Sequence, residues 1–133
     1  ILQTNGMVQF TFPSNVSGNS YHLVLKHRNA LSVWSSNPVL MLNGFTYDFS
    51  TSSSQAYGSN QKLLSAGIFG LYSGDVNQDA LVESTDYQEI ENGSQAFLSG
   101  YVPTDLTGDW LVESADYGIM ENNSQLFLFV NQP

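Results

Sequence analysis

Residues 75–103 and 105–133 are two copies of one unit. Laid over each other they agree at fifteen of twenty-nine positions, among them Tyr87 with Tyr117, Glu91 with Glu121, Phe97 with Phe127 and Leu98 with Leu128. A repeat of this period requires two like supersecondary units packed on each other. Each copy opens on regularly spaced oxygen-bearing side chains, DVNQDALVESTD from Asp75 to Asp86 and DLTGDWLVESAD from Asp105 to Asp116. Positions one, three, five, nine and twelve are Asp75, Asn77, Asp79, Glu83 and Asp86 in the first run. In the second they are Asp105, Thr107, Asp109, Glu113 and Asp116. The carbonyls of Leu81 and Leu111 fall at position seven, where a loop of EF-hand type uses main-chain oxygen to complete its wrap around Ca²⁺.

Chemistry explains the spacing. Ca²⁺ is a hard cation that takes roughly six to eight oxygens at about 2.3–2.6 Å with little directional preference. Four acids within one twelve-residue loop repel each other, so the cluster needs open solvent or a cation. A solvated acidic tail is the simpler alternative, but it does not account for Leu81, Val82, Leu111 and Val112 at fixed offsets among the acids. Charge is also strongly partitioned. Lys26, Arg28 and Lys62 all precede residue 75, with Asp48 the one acid there, while residues 75–133 hold eleven acids and no base. The formal charge of −9 therefore belongs to the repeats. Without a cation, that half should repel itself and fold poorly. Nucleic acid is excluded as a partner for want of a basic surface.

Each unit reads as a loop followed by one helix. Ser84 and Ser114 are expected to cap the helices, with Asp86 and Asp116 in the first turn at the positive end of the dipole. Asn92 with Gly93, and Asn122 with Asn123, are expected to mark the helix ends. Val82 and Val112, at loop position eight, are expected to pair the two loops side by side.

A loop followed by a single helix, repeated, with Asp at position twelve, resembles a dockerin, the calcium module that docks onto cohesin domains in extracellular assemblies. SGDVNQD, the GY at Gly100 and Tyr101, the TD at Thr104 and Asp105 and the ENNSQLFLFVNQP ending are similar to the C-terminal ends of large secreted proteins from Bacteroidetes-type bacteria. The preceding YHLVLKHRNALSVWSSNPV and YDFSTSSSQAYGSNQKL resemble the β-rich segment that precedes such endings. The resemblance implies a protein partner, a cohesin-like domain or a neighbouring subunit. It would be contacted at loop positions ten and eleven, Ser84 and Thr85 in one copy and Ser114 and Ala115 in the other. Simple helix capping by the serines is the competing explanation. Two departures bear on the metal. Position six, usually glycine because the backbone turns sharply there, holds Ala80 and Trp110, and position three of the second loop is the weaker donor Thr107. Two Ca²⁺ sites are expected, the second weaker.

Residues 1–73 read as strands. Val8, Phe10 and Phe12 within Met7–Phe12, then Tyr21, Leu23 and Leu25, then Val39 to Leu42, then Phe45, Tyr47 and Phe49 follow period two. Asn43-Gly44 is the strongest hairpin signal. The expected architecture is a mainly β, Ig-like antiparallel β-sandwich over 1–73, followed by a small α, dockerin-like domain over 74–133. Because a strand pattern begins at or near Ile1, a longer protein is expected to precede it.

No transmembrane run and no cysteine occur, so membrane insertion is not expected. Weak calcium sites load at extracellular concentrations, which favours an extracellular or cell-surface location. Asn15, Asn92 and Asn122 stand in N-x-S triplets, which matter if the source glycosylates asparagine. Once the loops take their acids, Asp48, Glu89, Glu91 and Glu121 remain, and no nucleophile, zinc or phosphate motif accompanies them, so no catalysis is expected. His22 and His27 lie an odd number of residues apart and fall on opposite faces of a strand. Two further functions stay open: a surface-fibre subunit assembled by β-strand addition, and a carbohydrate-binding β domain using Trp34, Tyr47 and Tyr57, with a polysaccharide as ligand.

Overall fold

The computed structural model describes residues 6–133; the strand expected at Ile1 lies outside the described residues. The fold is mixed, made of short antiparallel strand pairs and two helices. β1 (Ser20–Tyr21) pairs with β4 (Val39–Leu40). β2 (Val24–His27) and β3 (Ala30–Trp34) form a hairpin through Arg28 and Asn29, with Leu25 opposite Val33 and His27 opposite Ala30. β5 (Lys62–Ser65) and β6 (Ile68–Gly70) form a second hairpin, whose turn needs the left-handed backbone of Gly67, at φ +76°. α1 spans Ser84–Gln95 and α2 spans Ser114–Ser124.

Among the described residues the strand pairs form three separate two-stranded sheets, which falls short of the two facing sheets expected from the alternation. Two of the expected strands form no ladder among the described residues. Met7–Phe12 has no strand assignment, and Phe10, 66 % exposed, packs on Phe12 with ring centroids 6.2 Å apart. Phe45 to Phe49 is likewise irregular: Tyr47 stacks edge-on against Phe49 at 4.8 Å and donates its hydroxyl to Gln55 O at 2.6 Å. Period-two apolar spacing presents one apolar face, but a strand also needs a neighbour to take its backbone hydrogen bonds. Asn43 and Gly44 do turn, with Gly44 at φ +76°, between flanks that do not pair. Conversely, β3 and the β5–β6 hairpin arise in segments with no clean alternation. β3 is buried on both sides because residues 72–74 lie along it. Leu31 N donates to Tyr72 O at 2.9 Å, Gly74 N donates to Asn29 O at 2.8 Å, and Ala30 bridges to Ser73.

Leu31 of β3 enters the core cluster alongside Val76, Val82, Ile90, Val112 and Met120 of the repeats. The compositional boundary at 73/74 is thus crossed by a shared core and by backbone hydrogen bonds. Gly74, at φ +128°, makes the close approach that this requires, since a Cβ there would stand 2.8 Å from Val82 Cγ1.

The two repeat units are related as the sequence identity demands, with details that differ from the expected caps. The helices begin at Ser84 and Ser114, so Glu83 and Glu113 occupy the cap positions. The capping bond comes from inside the helix: Asp86 accepts from Glu83 N at 3.0 Å and Asp116 from Glu113 N at 2.9 Å. The box is closed from the other side by Glu83 and Glu113, whose carboxylates take the backbone amides of Asp86 and Asp116. Nor do the helices end at the Asn and Gly residues. Gly93 is buried inside α1, where a Cβ would come within 3.1 Å of Thr104 Oγ1, and Asn123 is buried inside α2. The left-handed residues that follow are Phe97 (φ +52°) and Phe127 (φ +53°), and Leu98 N closes onto Gly93 O at 2.9 Å.

The loops do not pair with each other. Leu81 bridges to Phe129, beyond α2, and Leu111 bridges to Ser99, beyond α1. Val82 N donates to Leu128 O and Val112 N to Leu98 O, both at 3.1 Å. Each loop is therefore fastened by the chain that leaves the other copy's helix, so neither unit closes its own loop alone.

Candidate metal centre

In the first loop, short side chains thread the turns. Asn77 Oδ1 accepts from Asp79 N at 2.9 Å, and Asp79 Oδ1 accepts from Leu81 N at 3.0 Å. Asn77 Nδ2 donates to Asp79 Oδ2 and to Thr85 Oγ1, and Thr85 in turn donates to Glu83 Oε1 at 3.0 Å. Asp86, at position twelve, is fully buried and gathers three backbone amides: Val76 and Asn77 on Oδ1, Glu83 on Oδ2. Ala80 stands at φ +77°, the glycine conformation anticipated at position six, as does Trp110 in the second loop. Such strain at a residue with a Cβ costs about 1 kcal/mol.

Asp75, at position one, is 2 % exposed, and its Oδ1 is buried without a hydrogen-bond partner. Burial, then the negative charge of Asp86 and Asp79, push its carboxyl up to about 6 from the ordinary 3.8, while the amides of Ala80 and Asp79 pull the other way. Burial likewise raises Asp86 against the pull of its three amides. A cavity of about 150 Å³ lies against Asp75, lined also by Lys26, Ser32, Trp34, Gln78 and Gln132.

The second loop repeats the wiring of position twelve and differs at positions one and three. Asp116 gathers Leu106 N, Thr107 N and Glu113 N at 2.8–2.9 Å. Asp105, the counterpart of Asp75, has both oxygens engaged: Thr107 Oγ1 and Gly108 N donate to Oδ1, and Trp110 N donates to Oδ2 at 3.2 Å. Thr107 thus spends its hydroxyl hydrogen on Asp105. Asp109 Oδ1 accepts from Leu111 N at 3.0 Å, as Asp79 does from Leu81.

Among the described residues, no three His, Cys, Asp or Glu side chains gather closely enough to hold a metal by themselves. The donors of each loop alternate carboxylate with amide, hydroxyl and main-chain oxygen, so the acids are spaced by neutral groups. The test of fit is the buried, unpartnered oxygen of Asp75. An anionic oxygen removed from water without a donor is costly, and a cation at position one relieves that cost. The first loop fits Ca²⁺. In the second, both oxygens of Asp105 are already engaged.

Ser84, Thr85, Ser114 and Ala115 are all exposed. Ser84 borders a groove of about 620 Å³ with Tyr87, Glu121 and Phe127. Tyr87 packs on Tyr117 at 5.3 Å, while Phe97 and Phe127 are 89 % and 87 % exposed. The His pair does not converge: His22 Nδ1 donates to Ser35 O at 2.8 Å, and His27 Nδ1 lies 2.8 Å from Asn29 Oδ1. Trp34 and Tyr57 both stand edge-on to His22, whereas Tyr47 packs elsewhere on Phe49.

Sequence reasoning missed the residues that fasten the strands to the repeats. Lys62 Nζ donates to Asn123 Oδ1 at 3.1 Å, and Asn123 Nδ2 donates to Ser73 O at 2.7 Å. Arg28 Nε donates to Val102 O and Nη2 to Asp105 O, both at 3.0 Å. The available signal was charge: all three bases lie before residue 75 and eleven of the twelve acids after it, and Arg28 is paired with Asp105 across that divide.

The folded state holds the Asp75 proton more tightly than the unfolded chain does, so without metal stability should fall as pH rises through the window from about 3.8 to about 6. Denaturant unfolding in EGTA should thus show a more stable protein near pH 4.5 than near pH 7, and saturating Ca²⁺ should remove or reverse that slope.

Among the described residues, no helix is long and apolar enough to cross a membrane. Comparison with protein-family models, curated proteins and solved structures gives no match.

Proposed function

We propose that this chain is a non-catalytic, calcium-stabilised module of dockerin type that serves in assembly or anchoring outside the cell or at its surface. The observation that carries the reading is the buried carboxylate of Asp75, with one oxygen unpartnered, at position one of an EF-hand-ordered donor set. Ca²⁺ would be held by Asp75, Asn77, Asp79, Glu83, Asp86 and the carbonyl of Leu81. The second site, Asp105, Thr107, Asp109, Glu113, Asp116 and the carbonyl of Leu111, is the weaker. Bound calcium supplies positive charge that offsets the acids and turns binding free energy into folding free energy. The exposed Ser84, Thr85, Ser114 and Ala115, together with the aromatic groove beside Ser84, support a protein partner such as a cohesin-like domain or a neighbouring subunit.

Calorimetric titration with Ca²⁺ should give, in the wild type, a stronger of two sites that Asp75→Asn removes. Retention of that heat in the Asp75→Asn protein would place the ion elsewhere and sink the assignment.

A further inference from the structure

The two loops carry the same number of acids, yet among the described residues it is the second that a base is bonded to; Lys26 lines the cavity beside Asp75 without an ion pair to it. Arg28, in the β2–β3 turn, reaches the first residue of that loop from the other half of the chain. Its Nη2 stands 3.6 Å from Asp105 Oδ2 and donates to Asp105 O at 3.0 Å, while Nε donates to Val102 O at 3.0 Å. The guanidinium lies 4.1 Å over the Tyr101 ring, and the side chains of Arg28 and Asp105 are only 18 % and 3 % exposed. Asn29 adds a bond from Nδ2 to Asp105 O at 2.8 Å. At the corresponding place in the first loop, the group that reaches Asp75 O is the neutral amide of Gln78, at 2.7 Å. Asp75 keeps an unpartnered oxygen, whereas Asp105 keeps none.

We infer that Arg28 is the resident cation of the second loop: it holds that loop in its folded form without metal and competes with calcium there. The inference rests on the calcium reading of the loops. A guanidinium is always protonated and fixed in place by its planar set of donors, so a chelator cannot remove it. Loop 105–116 should therefore be ordered whether or not calcium is present, and loop 75–86, which has no such base, should depend on the metal.

The test is amide hydrogen exchange of the full chain in excess Ca²⁺ and in EGTA, for the wild type and for Arg28→Met, which keeps the apolar stem. In the wild type, amides of residues 75–86 should lose protection by about tenfold or more in EGTA while those of 105–116 hold theirs. In Arg28→Met, the 105–116 amides should also lose protection in EGTA and regain it in calcium. Wild-type amides of 105–116 that open in EGTA overturn the inference even if the variant fails to fold, as does an Arg28→Met loop that stays closed in EGTA. Protection of 75–86 that is indifferent to calcium in the wild type would instead remove the calcium reading. The Arg28 contact would then show itself as a loss in EGTA that calcium does not restore.

Discussion

Asp86→Ala should cost at least about 3 kcal/mol of stability, because it strips the acceptor from three backbone amides at once, and a hydrogen bond to a charged group contributes about 1.5–3 kcal/mol. Those amides, of Val76, Asn77 and Glu83, lie 2.8, 3.2 and 3.0 Å from the carboxylate. Val76 belongs to the core, so water does not easily replace the lost acceptor. One effect works the other way. Burial, and to a lesser degree the charge of Asp79, raise the Asp86 carboxyl, so removing its charge relieves a desolvation cost and some repulsion. The relief is smaller than the loss, since three amides and the start of α1 depend on this one side chain. Urea unfolding in EGTA isolates the term from metal binding, and a change under about 1 kcal/mol would mean that the amides find other acceptors.

Leu31→Ala should cost about 2–5 kcal/mol, as deletion of a fully buried leucine does, and should do so for the whole chain. Leu31 sits on a strand but packs into the cluster built by Val76, Val82, Ile90, Val112 and Met120. The account thus expects one cooperative transition, with the helical and aromatic signals lost together. Two separated transitions, with only the strand signal shifted by the substitution, would show that the halves fold independently.

The repeats were the more legible half of this chain, for a physical reason. The internal repeat is written in side-chain identity, so Asp75 to Asp86 and Asp105 to Asp116 could be set in register by inspection. The strain at Ala80 and Trp110 was legible too, since the turn at position six dictates its backbone whichever residue stands there. Caps were less so. Ser84 and Ser114 are good capping residues, but the cap falls one residue earlier, where Glu83 and Glu113 exchange bonds with Asp86 and Asp116 as reciprocal capping boxes. The crosswise fastening of Leu81 to Phe129 and Leu111 to Ser99 is a long-range choice that no local pattern encodes. The strand half was legible in part: the alternating runs from Tyr21 to Leu25 and from Val39 to Leu42 do carry the short strands β1, β2 and β4. Alternation in Met7–Phe12 and at Phe45, Tyr47 and Phe49 shows an apolar face without saying what receives the backbone, and there the chain stays irregular. β3 lacks the alternation because residues 72–74 and the repeats bury both of its sides.

Thermal unfolding of the wild type in millimolar Ca²⁺ and in EGTA tests the central claim most directly. A ligand at about a hundred times its Kd contributes about 2.7 kcal/mol, which for a chain of this size moves the Tm by about 10 °C. The account predicts a rise of that order in calcium, lost in Asp75→Asn. Equal melting temperatures in the two buffers, with no heat of calcium binding, would contradict it.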